Sequence, residues 1–193
     1  FKLVTYTTGM ELGFIDEDSE FYCKGHTLFC GRKYHCIRRW GHRTVNVKDA
    51  LAKSCNIPCF EIAQKVSIDD FAEYAYRFGL GRKTGFLFTE KSGLVPTRGW
   101  KQAHKGEQWW PGETLSVSLG QSYLLVTPLQ IARMISSIYT GCLVNPKILV
   151  DEATEISPLH VSPKTLSFLQ ETMKEVARKG TGRVLNKYKE FEI

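Results

Sequence analysis

Leu125-Val126-Thr127-Pro128-Leu129-Gln130 carries a complete helix start in its last four residues. Thr127 supplies a side-chain cap, Pro128 suits the first helical position because its missing N–H would go unpaired there anyway, and Gln130 can reach back to the cap amide. Ile131, Ile135 and Ile138 then repeat on one face, and Gly141 ends the helix. Similar signals recur outward. Ser162-Pro163 opens a last long helix, with Leu166, Leu169, Met173 and Val176 at three-to-four spacing. Ser67-Ile68-Asp69-Asp70 caps a helix with Phe71, Tyr74, Ala75 and Phe78 on one face and Gly79 as its stop. Asn46 caps another, with Asp49 in its first turn and Ala50 and Leu51 as apolar positions; it stops near Ser54-Cys55-Asn56, and Pro58 permits a new start. The first dozen residues read as a helix body, with Leu3, Val4, Met10 and Leu12 apolar, ending at Gly13. Two stretches break this pattern. Residues 16–43 are polar, basic and rich in Cys and His, with no sustained period, and excursions of that length are usually functional or stapled. Residues 79–120 are rich in Gly, Pro and Trp, which predicts loops with short strands. Residues 188–193 are expected to begin a strand.

A length of 193 residues allows one domain, or one domain plus a fragment. The 42% hydrophobic and 24% charged content argues against disorder. No apolar run reaches the roughly 18 residues of a membrane helix; the richest, residues 123–138, is broken by Gln130 and Arg133. The chain opens Phe1-Lys2-Leu3, without a Met or a basic leader, and is expected to start inside a longer protein. The net charge is +6. The basic residues are scattered apart from one patch, Arg32, Lys33, Arg38, Arg39 and Arg43, which favours a solvated surface over nucleic-acid binding and leaves an anionic substrate or acidic membrane surface open. Cys23, Cys30, Cys36, Cys55 and Cys59 fall in the first third with His26, His35 and His42, whereas Cys142 lies apart. Such clustering suggests a metal site or a local disulfide.

Taken singly, the remaining motifs are weak. In order, they are Phe1-Lys2-Leu3-Val4-Thr5, Ser54-Cys55-Asn56, Phe78-Gly79-Leu80-Gly81 with Lys83-Thr84-Gly85, Lys91-Ser92-Gly93-Leu94-Val95-Pro96, Gly112-Glu113-Thr114, and Ser118-Leu119-Gly120-Gln121 with the helix start above. Together the series resembles the transpeptidase domain of class B penicillin-binding proteins, of the penicillin-binding protein 2 type that serves cell elongation. The opening is similar to the end of an S-x-x-K motif and Ser54-Cys55-Asn56 to the S-x-N motif. The resemblance implies an α/β (α+β) fold of the penicillin-binding protein and serine β-lactamase kind, of which residues 1–193 show mainly the helical part. It also implies peptidoglycan D,D-transpeptidation through an acyl-serine. The expected partners are stem peptides, β-lactams and membrane proteins of the elongation complex, with no nucleic acid. The expected place is the periplasmic face of the bacterial inner membrane, through an anchor outside this sequence. A D,D-carboxypeptidase, a β-lactamase or a β-lactam sensor of the same fold is the nearest alternative, and a non-enzymatic zinc-stapled interaction module is the rival from another class.

Two departures from the family pattern bear on activity. The nucleophilic Ser would lie three residues before Lys2, upstream of Phe1. The K-T-G motif is absent: Lys83-Thr84-Gly85 comes far too early, and Gly180-Thr181-Gly182 reads as the turn before that strand. The sequence is therefore expected to be a partial domain, inactive alone. By resemblance Lys2 acts as the base, Ser54 relays a proton to the leaving amine, and Asn56 orients Lys2 and donates to the substrate backbone. The bland alternative is that Ser54 and Asn56 only cap neighbouring helices.

Some relatives of this type hold a zinc ion beside the active site, and the corresponding positions here resemble Cys23, Cys36, His42 and Cys55. Three thiolates and one imidazole form a closed tetrahedral set, so the zinc would be structural, pinning the basic excursion to the Ser54-Cys55-Asn56 loop. Cys30, His26 and His35 are reserve ligands. A disulfide, Cys23 with Cys30 or Cys30 with Cys36, remains the alternative in an oxidising compartment. Cys59 and Cys142 are expected to be ordinary buried thiols. Trp100, Trp109 and Trp110 are expected to pack or anchor loops, with a substrate-facing role for Trp109 or Trp110 as the alternative.

Overall fold

The computed structural model describes residues 1–86, 89–149, 151 and 153–187. Helix α1 (Lys2–Glu11) is followed by four short strands, β1 (Glu20–Cys23), β2 (His26–Phe29), β3 (Arg32–His35) and β4 (Arg43–Asn46). Helices α2 (Val47–Ala52), α3 (Ile57–Ala63), α4 (Ile68–Arg77), α5 (Arg98–Lys105), α6 (Pro111–Ser118) and α7 (Pro128–Thr140) come next. Strands β5 (Cys142–Val144) and β6 (Ile156–Pro158), helix α8 (Pro163–Arg178) and a 3-10 turn at Arg183–Lys187 complete the described chain. Among the described residues the strands form three antiparallel pairs: β1 with β4, β2 with β3, and β5 with β6.

The expected helix starts form as their caps dictate. The side chains of Asn46, Ser67, Thr127 and Ser162 each accept a hydrogen bond from the backbone N–H three residues on. Ser67 with Asp70 and Thr127 with Gln130 close full capping boxes. Gln130 is wholly buried and does more than cap: its Nε2 donates to Arg82 O at 2.7 Å and Ser92 O at 2.8 Å, tying the loop before α5 to the start of α7.

Helix α1 is the central element. Its residues from Val4 to Gly9 are all buried, and it packs against α3, α4 and α8. Phe60, Phe71, Phe78, Phe168 and Leu169 fill the surrounding core. Each such side chain contributes about 1.5–3 kcal/mol on burial, against about 0–1 for each exposed ion pair, so packing dominates. The α6 end braces the α1 start: Thr5 Oγ1 donates to Ser118 O at 2.7 Å in the interior.

Two expectations, for residues 79–120 and for the face of α7, are corrected. Residues 79–120 contain α5 and α6 rather than short strands, and their single described bridge joins Leu94 to Leu125. Helix α5 buries only Lys101, so it has no apolar stripe to read; its Thr97 cap was the available signal. Residues 16–43 hold β1, β2, β3 and the first residue of β4, and β3 exposes three of its four side chains. On α7 the buried face runs through Gln130, Met134, Ser137 and Ile138, while Ile131 is 44% exposed. The strand expected at 188–193 lies outside the described residues.

Glu11, at the end of α1, accepts from Ser162 N at 3.2 Å, Ser162 Oγ at 2.6 Å and Thr165 Oγ1, holding the start of α8. Burial alone would raise its carboxyl, but the bonds from Ser162 and Thr165 outweigh burial and hold it below its ordinary value. A lowered folded pKa stabilises the fold above the unfolded pKa, and that stability disappears as pH falls through the folded value. Glu11→Gln should therefore cost about 1–2 kcal/mol in urea unfolding at neutral pH. The difference should vanish in acid; an equal difference at both pH values would contradict the assignment.

Candidate active site and metal centre

Lys2 stands on the first turn of α1, and Ser54, Cys55 and Asn56 form the loop between α2 and α3. Lys2 Nζ donates to Ser54 O at 2.7 Å, Ser54 Oγ at 3.0 Å, Asn56 Oδ1 at 2.7 Å and Cys55 O at 3.2 Å. An ammonium has three protons, so four oxygens saturate it. Burial pulls the Lys2 pKa below its ordinary value, against the opposing pull of the Cys59, Cys55 and Cys36 sulfurs. Asn56 Nδ2 donates to His35 O at 3.0 Å, which leaves one of its two amide protons free for another acceptor.

Ser54 adopts a left-handed conformation, φ 54°. Its N–H bonds to Leu51 O at 3.0 Å and Cys55 N–H to Ala50 O at 2.8 Å, so the loop closes the end of α2. Glycine would fit this backbone without strain, but it would lose the Oγ that accepts from Lys2 at 3.0 Å. The turn after α8 locks the same loop. Thr181 N–H donates to Ala52 O at 3.1 Å, and a Cβ on Gly180 would stand 2.4 Å from that oxygen. Lys2 and Ser54 also line a cavity of about 410 Å³ whose walls include Leu3, Leu51, Met173 and Ala177.

On the other side of Cys55 lies the Cys/His cluster. Cys36 Sγ is 3.5 Å from His42 Nδ1 and 3.8 Å from Cys55 Sγ, and Cys23 Sγ is 3.6 Å from His42 Nδ1. All four donor atoms lie within 4.8 Å of one another, and the three cysteines are buried. A tetrahedral ion with bonds of about 2.3 Å to sulfur and about 2.05 Å to nitrogen separates two sulfurs by about 3.8 Å and a sulfur from a nitrogen by about 3.6 Å. The donor set thus fits a tetrahedral soft-metal ion. It does not fit a disulfide, whose sulfurs would stand about 2.0 Å apart, and all six cysteines are unpaired. The Cys55 S–H, against burial and helped by the N–H groups of Asn56 and Arg38, favours the Cys36 thiolate.

The reserve ligands fall elsewhere. Cys30 is exposed at the turn between β2 and β3, and His26 and His35 pair across those strands. Cys59 is buried, with a pKa pushed up to about 12 by that burial, whereas Cys142 is only half-buried. Trp109 Nε1 donates to Thr114 Oγ1 at 2.8 Å, Trp100 stacks on His104, and Trp110 is exposed. Sequence reasoning missed the crossing that closes the cluster. A Cβ on Gly25 would lie 1.9 Å from Arg39 O, and one on Gly41 2.0 Å from Cys23 O. Both glycines have positive φ, and only glycine lets the Cys23 and His42 segments touch this way. The signal was present as Gly25 two residues after Cys23 and Gly41 just before His42.

Residues 1–193 match the model of the penicillin-binding protein transpeptidase domain. The chain belongs to that family. It is 32% identical over 126 residues to the peptidoglycan D,D-transpeptidase MrdA of Escherichia coli, covering 64% of this chain and 20% of that protein. It is 31% identical over 192 residues to MrdA of Acinetobacter baumannii, covering 91% of this chain and 28% of that protein. Penicillin-binding protein 2 of Helicobacter pylori, solved alone and with MreC, superposes on the whole chain with TM-score 0.91 at 25% identity, over 37% of its own length. The penicillin-binding protein 2 type of class B, and the mixed, mostly helical fold, are those expected from the sequence. The chain spans only a fifth to under a third of the relatives' lengths.

The Ser54 backbone gives a direct check. Ser54→Gly should raise thermal stability by about 1 kcal/mol, because relief of the left-handed conformation outweighs loss of one of four Lys2 contacts. A fall in the melting temperature would show that the Oγ contact holds the fold rather than serving the site.

Proposed function

We propose that this chain is part of the transpeptidase domain of a peptidoglycan D,D-transpeptidase, and that Lys2, Ser54 and Asn56 form its acyl-transfer site. The observation that carries this reading is the oxygen cage around Lys2 Nζ, at 2.7 to 3.2 Å from four groups of one loop. A serine three residues before Lys2, in the preceding segment of the whole protein, is the nucleophile. It attacks the D-Ala-D-Ala peptide carbonyl of a stem peptide as its proton passes to neutral Lys2 Nζ, a role that burial of this amine supports. Ser54 Oγ, 3.0 Å from Nζ, gives its proton to the departing D-Ala amine and takes the proton held by Lys2 in its place. The amine of a second stem then attacks the acyl-serine; its proton passes through Lys2 Nζ to the departing serine Oγ, which restores the hydroxyl as the amide cross-link forms. Asn56 holds Lys2 through Oδ1 and offers its remaining Nδ2 proton to the substrate backbone. β-Lactams acylate the same serine, and a K-T-G strand completes the cleft from the following segment.

Cys23, Cys36, His42 and Cys55 hold a zinc ion in this reading. When bound, it supplies a rigid cross-link and no reacting group. The residues themselves fix the loop, because Cys55 stands between Ser54 and Asn56. The similarity to a penicillin-binding protein 2 solved with MreC supports membrane proteins of the elongation machinery as partners. The similarity to peptidoglycan transpeptidases supports the periplasmic face of the inner membrane as the place of action. Among the described residues no helix is long and apolar enough to cross a membrane.

Fluorescent penicillin labelling of the whole protein tests the enzyme. Lys2→Ala should slow labelling by about 100-fold or more in protein that still unfolds in a single cooperative transition. Undiminished labelling would overturn the role of Lys2, and no labelling of the wild type would favour a non-enzymatic module. Elemental analysis should find about one zinc per chain, and chelation should lower the melting temperature. Metal-free protein with paired cysteines would overturn the metal centre.

A further inference from the structure

The whole net charge of the chain sits in one short stretch. Residues 21–43 contain six of the 26 basic residues and none of the 20 acidic ones, so the rest of the chain is balanced. Lys24, Arg32, Lys33, Arg38, Arg39 and Arg43 are all exposed. Among the described residues none of the six joins an ion pair. Clustered, unopposed cations repel one another and weaken a fold, and the same field attracts an anionic partner. The same stretch holds Trp40, 72% exposed, and Ile37, 70% exposed, the two most exposed large apolar side chains described. The Arg38 guanidinium lies 5.5 Å from the centre of the Trp40 ring, which backs it as a flat platform.

This surface is stiff and adjoins the cleft. The Gly25–Arg39 and Gly41–Cys23 approaches lock the 37–41 loop against the β1–β2 connection, and the cysteine–histidine cluster lies beneath it. On the β2–β3 hairpin, Phe29 and Tyr34 turn inward to the core, which leaves Leu28 and Lys33, paired across the strands, facing out, while Arg32 lies on the Tyr34 side with its guanidinium 5.5 Å from that ring. The hairpin ends at His35, whose carbonyl accepts from Asn56 Nδ2 at 3.0 Å, so the basic face is a direct continuation of the Lys2 cage.

We propose that this face is an exosite for the uncross-linked glycan–peptide strand. Its cations attract the free carboxylates of the stems, and Trp40 receives the apolar face of a sugar ring. The inference rests on the transpeptidase reading above and deepens it by naming a polymer-binding surface outside the reacting site. Each stem ending in D-Ala carries a free carboxylate, so a strand is a polyanion of spaced charges, whereas a small β-lactam needs none of this surface. A lipid bilayer is the competing anionic partner. The continuity with the Lys2 cage through His35 and Asn56 favours the strand.

The test uses the whole protein and its Arg38→Glu/Arg39→Glu and Trp40→Ala variants. The probes are soluble uncross-linked peptidoglycan strands, vesicles of phosphatidylglycerol with phosphatidylethanolamine, and fluorescent penicillin. The double charge reversal should weaken strand binding about tenfold or more and flatten its salt dependence. Trp40→Ala should weaken strand binding without changing that salt dependence. Penicillin labelling should stay at the wild-type rate in both variants, which also reports that they are folded. Strand binding unchanged in folded variants would overturn the exosite while leaving the enzyme reading intact. Vesicle binding lost in place of strand binding would overturn it in favour of a membrane contact. Failure of the wild type to label would instead count against the transpeptidase reading.

Discussion

A lysine Nζ held by four oxygens of one three-residue loop is the constraint that orders the rest of this molecule. Lys2 and Ser54 are 52 positions apart, yet their atoms must meet within about 3 Å. Nothing local enforces that. Helix α1 is fixed because its middle is buried on every side, and the α6 end braces its start through Thr5 and Ser118. The facing loop is fixed by the left-handed turn at Ser54 and by the Thr181 bond to the end of α2. Ser54 in place of glycine costs about 1–2 kcal/mol of backbone strain, which is the kind of local cost that persists where a side chain has a task.

The cysteine–histidine cluster acts on the same loop from behind. Cys55 is the middle residue of Ser54-Cys55-Asn56, so anything that fixes its sulfur also fixes the two groups on either side. The cluster draws its other donors from residues 23–42, which carry the basic face. One set of four side chains thus joins the loop that cages Lys2 to the basic stretch.

Much of this was legible in the sequence, for identifiable reasons. Side-chain caps at Asn46, Ser67, Thr127 and Ser162 are local chemistry, and the helices began where those residues stand. Helix α5 was not legible because its buried residue is Lys101, bonded to Glu113 at 2.7 Å rather than packed in an apolar stripe. The strands of the excursion are four residues long with mixed faces, too short for a period to show. Ile131 misled because helical spacing says which residues share a face and not which face is covered. The meeting of Lys2 with Ser54 and Asn56 followed from family resemblance, since spacing alone made capping the simpler account. The Gly25 and Gly41 crossing depends on two backbones touching, which no linear pattern encodes.

The central claim is that Lys2 and Ser54 act on the acyl-transfer serine as one unit, and a double-mutant cycle on the β-lactam acylation rate of the whole protein tests it most directly. If they form one proton path, Lys2→Ala and Ser54→Ala each slow acylation, and the double variant is hardly slower than Lys2→Ala alone. Losses that simply multiply would mean that the two residues act independently, and the cage would then be an architectural contact rather than a catalytic one.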